Sequence, residues 1–182
     1  GGSTACFYFK GTVAGNPTAT AAVSGWSPSP TQTETVNPAL PDHLVFTTGA
    51  QTRQAGACSA AVTVESRDQY GNTSAVTADA VVTLSASPSA GFGFYSDPGC
   101  TTAATTRTIA AGSSMASIYF KGTVPGSLTV TASASGWSPS PTQTEAVIPT
   151  AADHLVCTTG AQTLTAGTCS GAVTVESRDQ YG

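Results

Sequence analysis

One stretch of sequence occurs twice in this chain. Residues 1–71 align without a gap onto residues 112–182, and 51 of the 71 pairs are identical. Ser24-Gly-Trp-Ser-Pro-Ser-Pro-Thr-Gln-Thr-Glu34 recurs at 135–145, and Ala61-Val-Thr-Val-Glu-Ser-Arg-Asp-Gln-Tyr-Gly71 recurs at 172–182. A period of 111 residues is too long for a solenoid unit that folds only against its neighbours, and it suits a whole small domain. The expected organisation is one complete unit at 41–150, preceded at 1–40 by the C-terminal part of another unit and followed at 151–182 by the N-terminal part of a third.

Within the complete unit the apolar residues alternate with period two, as in half-buried strands. Leu44 and Phe46 point one way. Cys58, Ala60, Val62 and Val64 share a face, with Thr63 and Glu65 on the other. Val82, Leu84 and Ala86, then Phe92 and Phe94, continue the pattern. Ala116, Ile118 and Phe120 alternate with polar neighbours, as do Leu128, Val130, Ala132 and Ala134, and residues 143–148 predict a last strand. Turn formers separate these runs, and Asp68-Gln-Tyr-Gly-Asn72 offers Gly71 and Asn72 for positive φ. Seven or eight short strands in a unit of this size predict an all-β, immunoglobulin-like β-sandwich, with a small closed barrel as the alternative. A part-sandwich exposes an apolar face and open strand edges. Both end stretches are therefore expected to be completed, either by a longer polypeptide or by the next molecule, docked head to tail through strand pairing into an open filament.

Charged residues make up 9% of the chain while hydrophobic ones reach 40%, too apolar for a disordered segment. A net charge of −4 with only six Lys and Arg argues against a nucleic-acid partner. No apolar run is long enough to span a membrane as a helix; no signal peptide is visible, and with Gly as the first residue the natural N-terminus is expected to lie outside this sequence. Cys58 recurs as Cys169, whereas Cys100 falls in the segment seen once. The expected pairing is Cys58 with Cys100, worth about 4 kcal/mol in the chain-entropy model; the alternative is two buried free thiols. Cys6 stands where the complete unit has Ser117, and Cys157 where it has Phe46. Cys6, Cys157 and Cys169 are left unassigned, available for bonds between units. Disulfide use at such low charge favours an extracellular or cell-surface setting.

The run Val62-Thr-Val-Glu-Ser-Arg-Asp-Gln-Tyr-Gly-Asn72 resembles the strand-and-turn signature of bacterial immunoglobulin-like repeats of the invasin and intimin type. Ala55-Gly-Ala-Cys-Ser59, Phe94-Tyr-Ser-Asp-Pro-Gly-Cys100 and Ile118-Tyr-Phe-Lys-Gly-Thr123 resemble a cysteine-containing subtype found in large surface proteins. The resemblance covers the whole unit and both partial ones. It implies a structural spacer or shaft of a secreted adhesin or fibre, self-associated or in tandem array, with no cofactor and no catalytic residues to carry over.

Candidate chemistry is thin. Asp42-His43, repeated as Asp153-His154, invites a charge-oriented base, but no nucleophile turn accompanies it and an adjacent pair is not a triad. Asp42, Asp68, Asp79 and Asp97 are too scattered for calcium, which wants six to eight oxygens, so no metal site is assigned. Lys10 and Lys121 alternate away from the core, against an isopeptide bond. Trp26 and Trp137, each followed by Ser-Pro-Ser-Pro, support the competing function of a carbohydrate-binding module for a glycan or host-surface ligand. Asn72-Thr-Ser74 matches the N-glycosylation sequon.

Overall fold

The computed structural model describes residues 3–182, so Gly1 and Gly2 of the first partial unit lie outside the described residues. Among these, every regular element is a strand: β1 (Thr18–Thr20), β2 (Thr31–Thr33), β3 (Pro41–Phe46), β4 (Thr52–Gln54), β5 (Val62–Asp68), β6 (Ala80–Ser87), β7 (Phe92–Tyr95), β8 (Thr106–Ile109), β9 (Met115–Gly122), β10 (Gly126–Ala134), β11 (Thr142–Ile148), β12 (His154–Cys157) and β13 (Val175–Arg178). Strands β3 to β11 form two open sheets, ordered β3-β5-β9-β7 and β4-β11-β10-β6-β8. Neighbours are antiparallel except β4, which runs parallel to β11 from Thr52↔Ala146 to Gln54↔Ile148. This is an immunoglobulin-like sandwich. The sheets do not close on each other, which rules out the barrel.

Alternation put the right side chains between the sheets. Val62, Val64, Val82, Ile109, Ile118, Phe120, Val130 and Ala132 are all buried in one continuous core. Phe92 stacks on Phe120 with ring centroids 5.2 Å apart and meets Phe94 edge-on at 5.3 Å, geometries that suit aromatic quadrupoles. Two short strands carried no readable alternation. Thr-Arg-Gln of β4 and Thr-Arg-Thr-Ile of β8 are short, largely polar sheet edges, where pairing comes from the backbone and only Ile109 turns into the core. Strand β5 departs from the expected pattern as well. Glu65, expected outward, is buried beside Arg67 and Thr73, and Cys58 and Ala60 precede the strand. Ser66 is also buried, donating its hydroxyl to the carbonyls of Ser74 and Ser114.

Cys58 and Cys100 are disulfide-bonded, with Cα atoms 5.7 Å apart across 42 residues of sequence. The bond ties the segment before β5 to the turn after β7. Cys58 already bridges Lys121 of β9, and Ser59 exchanges backbone and side-chain hydrogen bonds with Phe120. Cys6, Cys157 and Cys169 are free and exposed.

The stretches on either side of the sandwich each hold one antiparallel ladder. Strands β1 and β2 pair as their counterparts do in the β10–β11 hairpin, and β12 and β13 pair as β3 and β5 do. Their apolar side chains remain uncovered: Leu155 is 71% exposed, whereas its repeat counterpart Leu44 is 2% exposed.

Two outcomes follow. Leu44→Ala should cost about 2–5 kcal/mol of unfolding free energy, and Leu155→Ala less than about 0.5 kcal/mol, in denaturant titrations of the full chain; equal costs would contradict this packing. Alkylation without reduction, read by mass spectrometry, should label Cys6, Cys157 and Cys169 and spare Cys58 and Cys100.

Candidate functional site: the junctions between units

The densest polar network sits where one unit passes into the next. Strand β5 ends at Asp68, whose side chain is wholly buried. A buried carboxylate must be hydrogen-bonded or it neutralises. Its Oδ1 accepts the backbone N–H groups of Tyr70 and Asn72, each at 2.9 Å, closing the turn over Gly71, which takes φ +85°. Its Oδ2 accepts the N–H of Ala39, at 2.8 Å, from the segment entering the sandwich. Ser74 completes the grip by donating its hydroxyl to the Ala39 carbonyl at 2.6 Å.

Asn72 does not take the positive φ that its sequence position offers; its side chain carries the contact instead. The Nδ2 group donates to the Thr12 carbonyl at 2.8 Å and to Asp68 Oδ2 at 2.9 Å, while Oδ1 accepts the Ala14 N–H at 2.8 Å. Thr12 and Ala14 lie N-terminal to the sandwich, some 60 residues earlier in the chain. The sequon asparagine is thus spent on a junction, and an N-glycan on Nδ2 would displace the Thr12 bond.

The same device recurs at the second boundary. Asp179 and Thr150 stand 111 residues beyond Asp68 and Ala39. Thr150 donates its N–H to Asp179 Oδ2 at 2.8 Å and its hydroxyl at 3.2 Å, and the Tyr181 N–H reaches Oδ1 at 3.0 Å. Tyr181 also lies directly on Gly56 of the sandwich.

The electrostatics agree with the geometry. Burial opposes ionisation of Asp68, but the Asn72 side chain and the N–H groups of Ala39, Asn72 and Tyr70 outweigh it and hold the carboxyl at about 2, below its ordinary 3.8. The N–H groups of Thr150 and Tyr181 likewise lower Asp179, against the opposing effect of burial.

The other singled-out residues are dispersed. Asp42 and His43 touch each other at the start of β3, and among the described residues no hydroxyl or thiol hydrogen-bonds to that ring. Asp153 and His154 repeat the contact on β12. Asp79 accepts the Ala111 N–H, and Asp97 accepts the N–H groups of Gly99, Thr101 and Thr102. Asp97 closes its own loop and Asp79 ties the start of β6 to the turn after β8, and no metal-holding group of three acidic, His or Cys side chains occurs among the described residues. Lys121 places Nζ 5.0 Å from the centre of the Tyr95 ring and 3.4 Å from the Cys100 carbonyl. Trp137 lines an open groove of about 460 Å³ with Leu40, Val76, Asp79 and Val81, whereas Trp26 is largely exposed.

No family model and no curated protein matches the chain. Solved structures resemble it distantly. Domains 4 and 5 of the S-layer protein SbsC align at 20% identity and a TM-score of 0.43, over 73% of this chain and 66% of that one. Domains 4–9 of the surface layer protein SbsC align at 17% and 0.44, over 93% and 24%. A glycosyl hydrolase family 2 member from Bacteroides cellulosilyticus DSM 14838 aligns at 17% and 0.46, over 70% and 18%. The chain spans less than two thirds of each.

Two measurements test the junction. Because the folded carboxyl of Asp68 titrates lower than 3.8, its stabilisation is fully present above that pH and is lost as pH falls through about 2. The Ala39 amide resonance should accordingly shift with a midpoint near pH 2; a midpoint near 3.8 would contradict the clamp. Asn72→Ala should cost roughly 1–3 kcal/mol of junction stability, seen as faster hydrogen exchange at the Ala14 amide while the core amides of β9 are unchanged.

Proposed function

We propose that this chain is a structural segment of an extracellular or cell-surface tandem array, in which immunoglobulin-like repeats of 111 residues are coupled end to end through a carboxylate clamp. The domain assignment that goes with it is 1–40, 41–150 and 151–182. The observation that carries the proposal is the recurrence of one junction at two boundaries. Asp68 and Asp179 each capture the backbone of the entering segment, at Ala39 and Thr150. Tethers that merely link independent domains lack buried charges shared across the boundary, and relative motion is the default for small polar interfaces. Here the linker N–H is the ligand of a buried group, so bending the boundary strips a carboxylate of its hydrogen bond.

An array built this way transmits position rather than performing chemistry, and the role we assign is that of a stalk, fibre or surface lattice and not of an enzyme. The apolar faces left open on β1–β2 and β12–β13 require the missing strands of their units. Supply from the same polypeptide gives a continuous rod. Supply from the next molecule gives a head-to-tail filament, because the two partial faces are different and their contact does not close.

Carbohydrate binding is the second function, supported by the open groove that Trp137 lines together with Asp79 and Ser135. A glycan array with the wild-type chain and Trp137→Ala separates the two. Specific binding lost in the variant would favour the binding module. For the array, small-angle scattering of the natural polypeptide should give a maximum dimension that grows linearly with the number of repeats, and Asp→Asn changes at the clamp positions should shorten it. Dimensions growing roughly as the square root of repeat number, as for flexible linkers, would overturn the coupled array.

A further inference from the structure

At the second boundary the clamp grips the linker itself, at Thr150, and a grip on the linker alone leaves the segment beyond it free to rotate. A second contact away from the linker removes that freedom. We propose that Gly56 is a seat for the tyrosine of the following repeat, and that this tyrosine–glycine contact sets the rotation of each unit on the one before it. The proposal rests on the tandem-array function above and adds the surface by which one repeat recognises the next.

Three observations meet at this point. Gly56 takes φ +77°, a conformation that L side chains rarely adopt, and a Cβ built on it would overlap the Tyr181 hydroxyl. Its turn is held in place, since the Gly56 N–H donates to the Gly122 carbonyl at 2.7 Å and Ala55 beside it is buried. The seat is therefore a preformed notch of bare backbone against the end of β9. On the other side, the Tyr181 ring is aimed by the Asp179 turn, because the Tyr181 N–H is one of the clamp donors. One carboxylate thus grips the linker and orients the ring.

Sequence places both halves in every copy where they can be read. Gly56 recurs as Gly167, and Tyr181 is the repeat of Tyr70. Tyr70 is 49% exposed, and the space around Gly167 is empty. Each repeat therefore carries a notch at one end and a tyrosine at the other. Such ends are complementary to each other and not to themselves, so they specify polar, head-to-tail stacking. The occupant of the Tyr70 side is then the glycine turn of a preceding copy of the repeat, and that of Gly167 the tyrosine of a following copy.

The test is NMR on the 182-residue chain, with Tyr181→Phe and Tyr181→Ala. Both substitutions lie outside the sandwich, whose own resonances report that it remains folded. The wild-type chain and Tyr181→Phe should show cross-peaks between the ring of residue 181 and the Gly56 α-protons, with a ring-current displacement of those protons. Tyr181→Ala should lose that displacement. Absence of the cross-peaks, or an unchanged Gly56 signal in Tyr181→Ala, with the Thr150 amide still protected from exchange, would overturn the seat and leave the array standing. A freely exchanging Thr150 amide in the wild-type chain would overturn both.

Discussion

A carboxylate with no access to water must find its hydrogen bonds within the protein, and Asp68 finds them on both sides of a boundary. Two of its partners close its own turn, and a third belongs to the segment that arrives from the preceding unit. Removing either side leaves a buried charge short of donors, which costs more than the bond is worth when made. Folding of the turn and seating of the neighbour are thereby coupled. Asn72 extends the coupling by bridging Asp68 to Thr12, so the end of β5 works as a small connector plate.

The sandwich behind that plate is built to hold it still. Strand β5 lies between β3 and β9, with its inward valines packed against Ile118 and Phe120. The disulfide joins the segment leading into β5 to the turn after β7, and in a chain-entropy account it removes freedom chiefly from the unfolded state. Low charge fits this design. With most polar surface supplied by Thr, Ser and backbone groups, contacts between units are made by hydrogen bonds that salt screens little, unlike exposed ion pairs.

Much of this was legible in the sequence, because a half-buried sheet writes itself as alternation. The faces of β6, β9 and β10 could be read residue by residue. Strands β4 and β8 could not, since a short polar edge has no apolar period to show. Glu65 went astray for a related reason: alternation assigns a face but does not say what covers it, and Arg67 with Thr73 bury that carboxylate on the outer side. The junction was half visible. Asp68 was recognisable as a turn former and Asn72 as a sequon, yet both readings are local, and the partners Thr12, Ala14 and Ala39 are distant in sequence. The unbroken identity of residues 61–71 with 172–182 spans that strand and its turn and does not name their partners.

The two copies show which contacts at the boundary tolerate a change of residue. Asp68 to Gly71 recur unchanged at 179–182 and Thr12 recurs as Thr123, while Ala39 becomes Thr150 and Ala14 becomes Pro125. Asp68 reads a backbone N–H, which nearly every residue supplies, so Ala and Thr serve equally and Thr adds a hydroxyl bond. Proline is the exception, because it has no N–H to give. The Ala14 bond to Asn72 therefore has no counterpart at Pro125, and a junction below the sandwich must hold its neighbour without it. The carboxylate clamp and the notch at Gly56 remain for that purpose, and both are indifferent to the side chain at position 125. Recognition through a backbone N–H tolerates the change from Ala39 to Thr150, while the carboxylate that reads it is Asp in both copies.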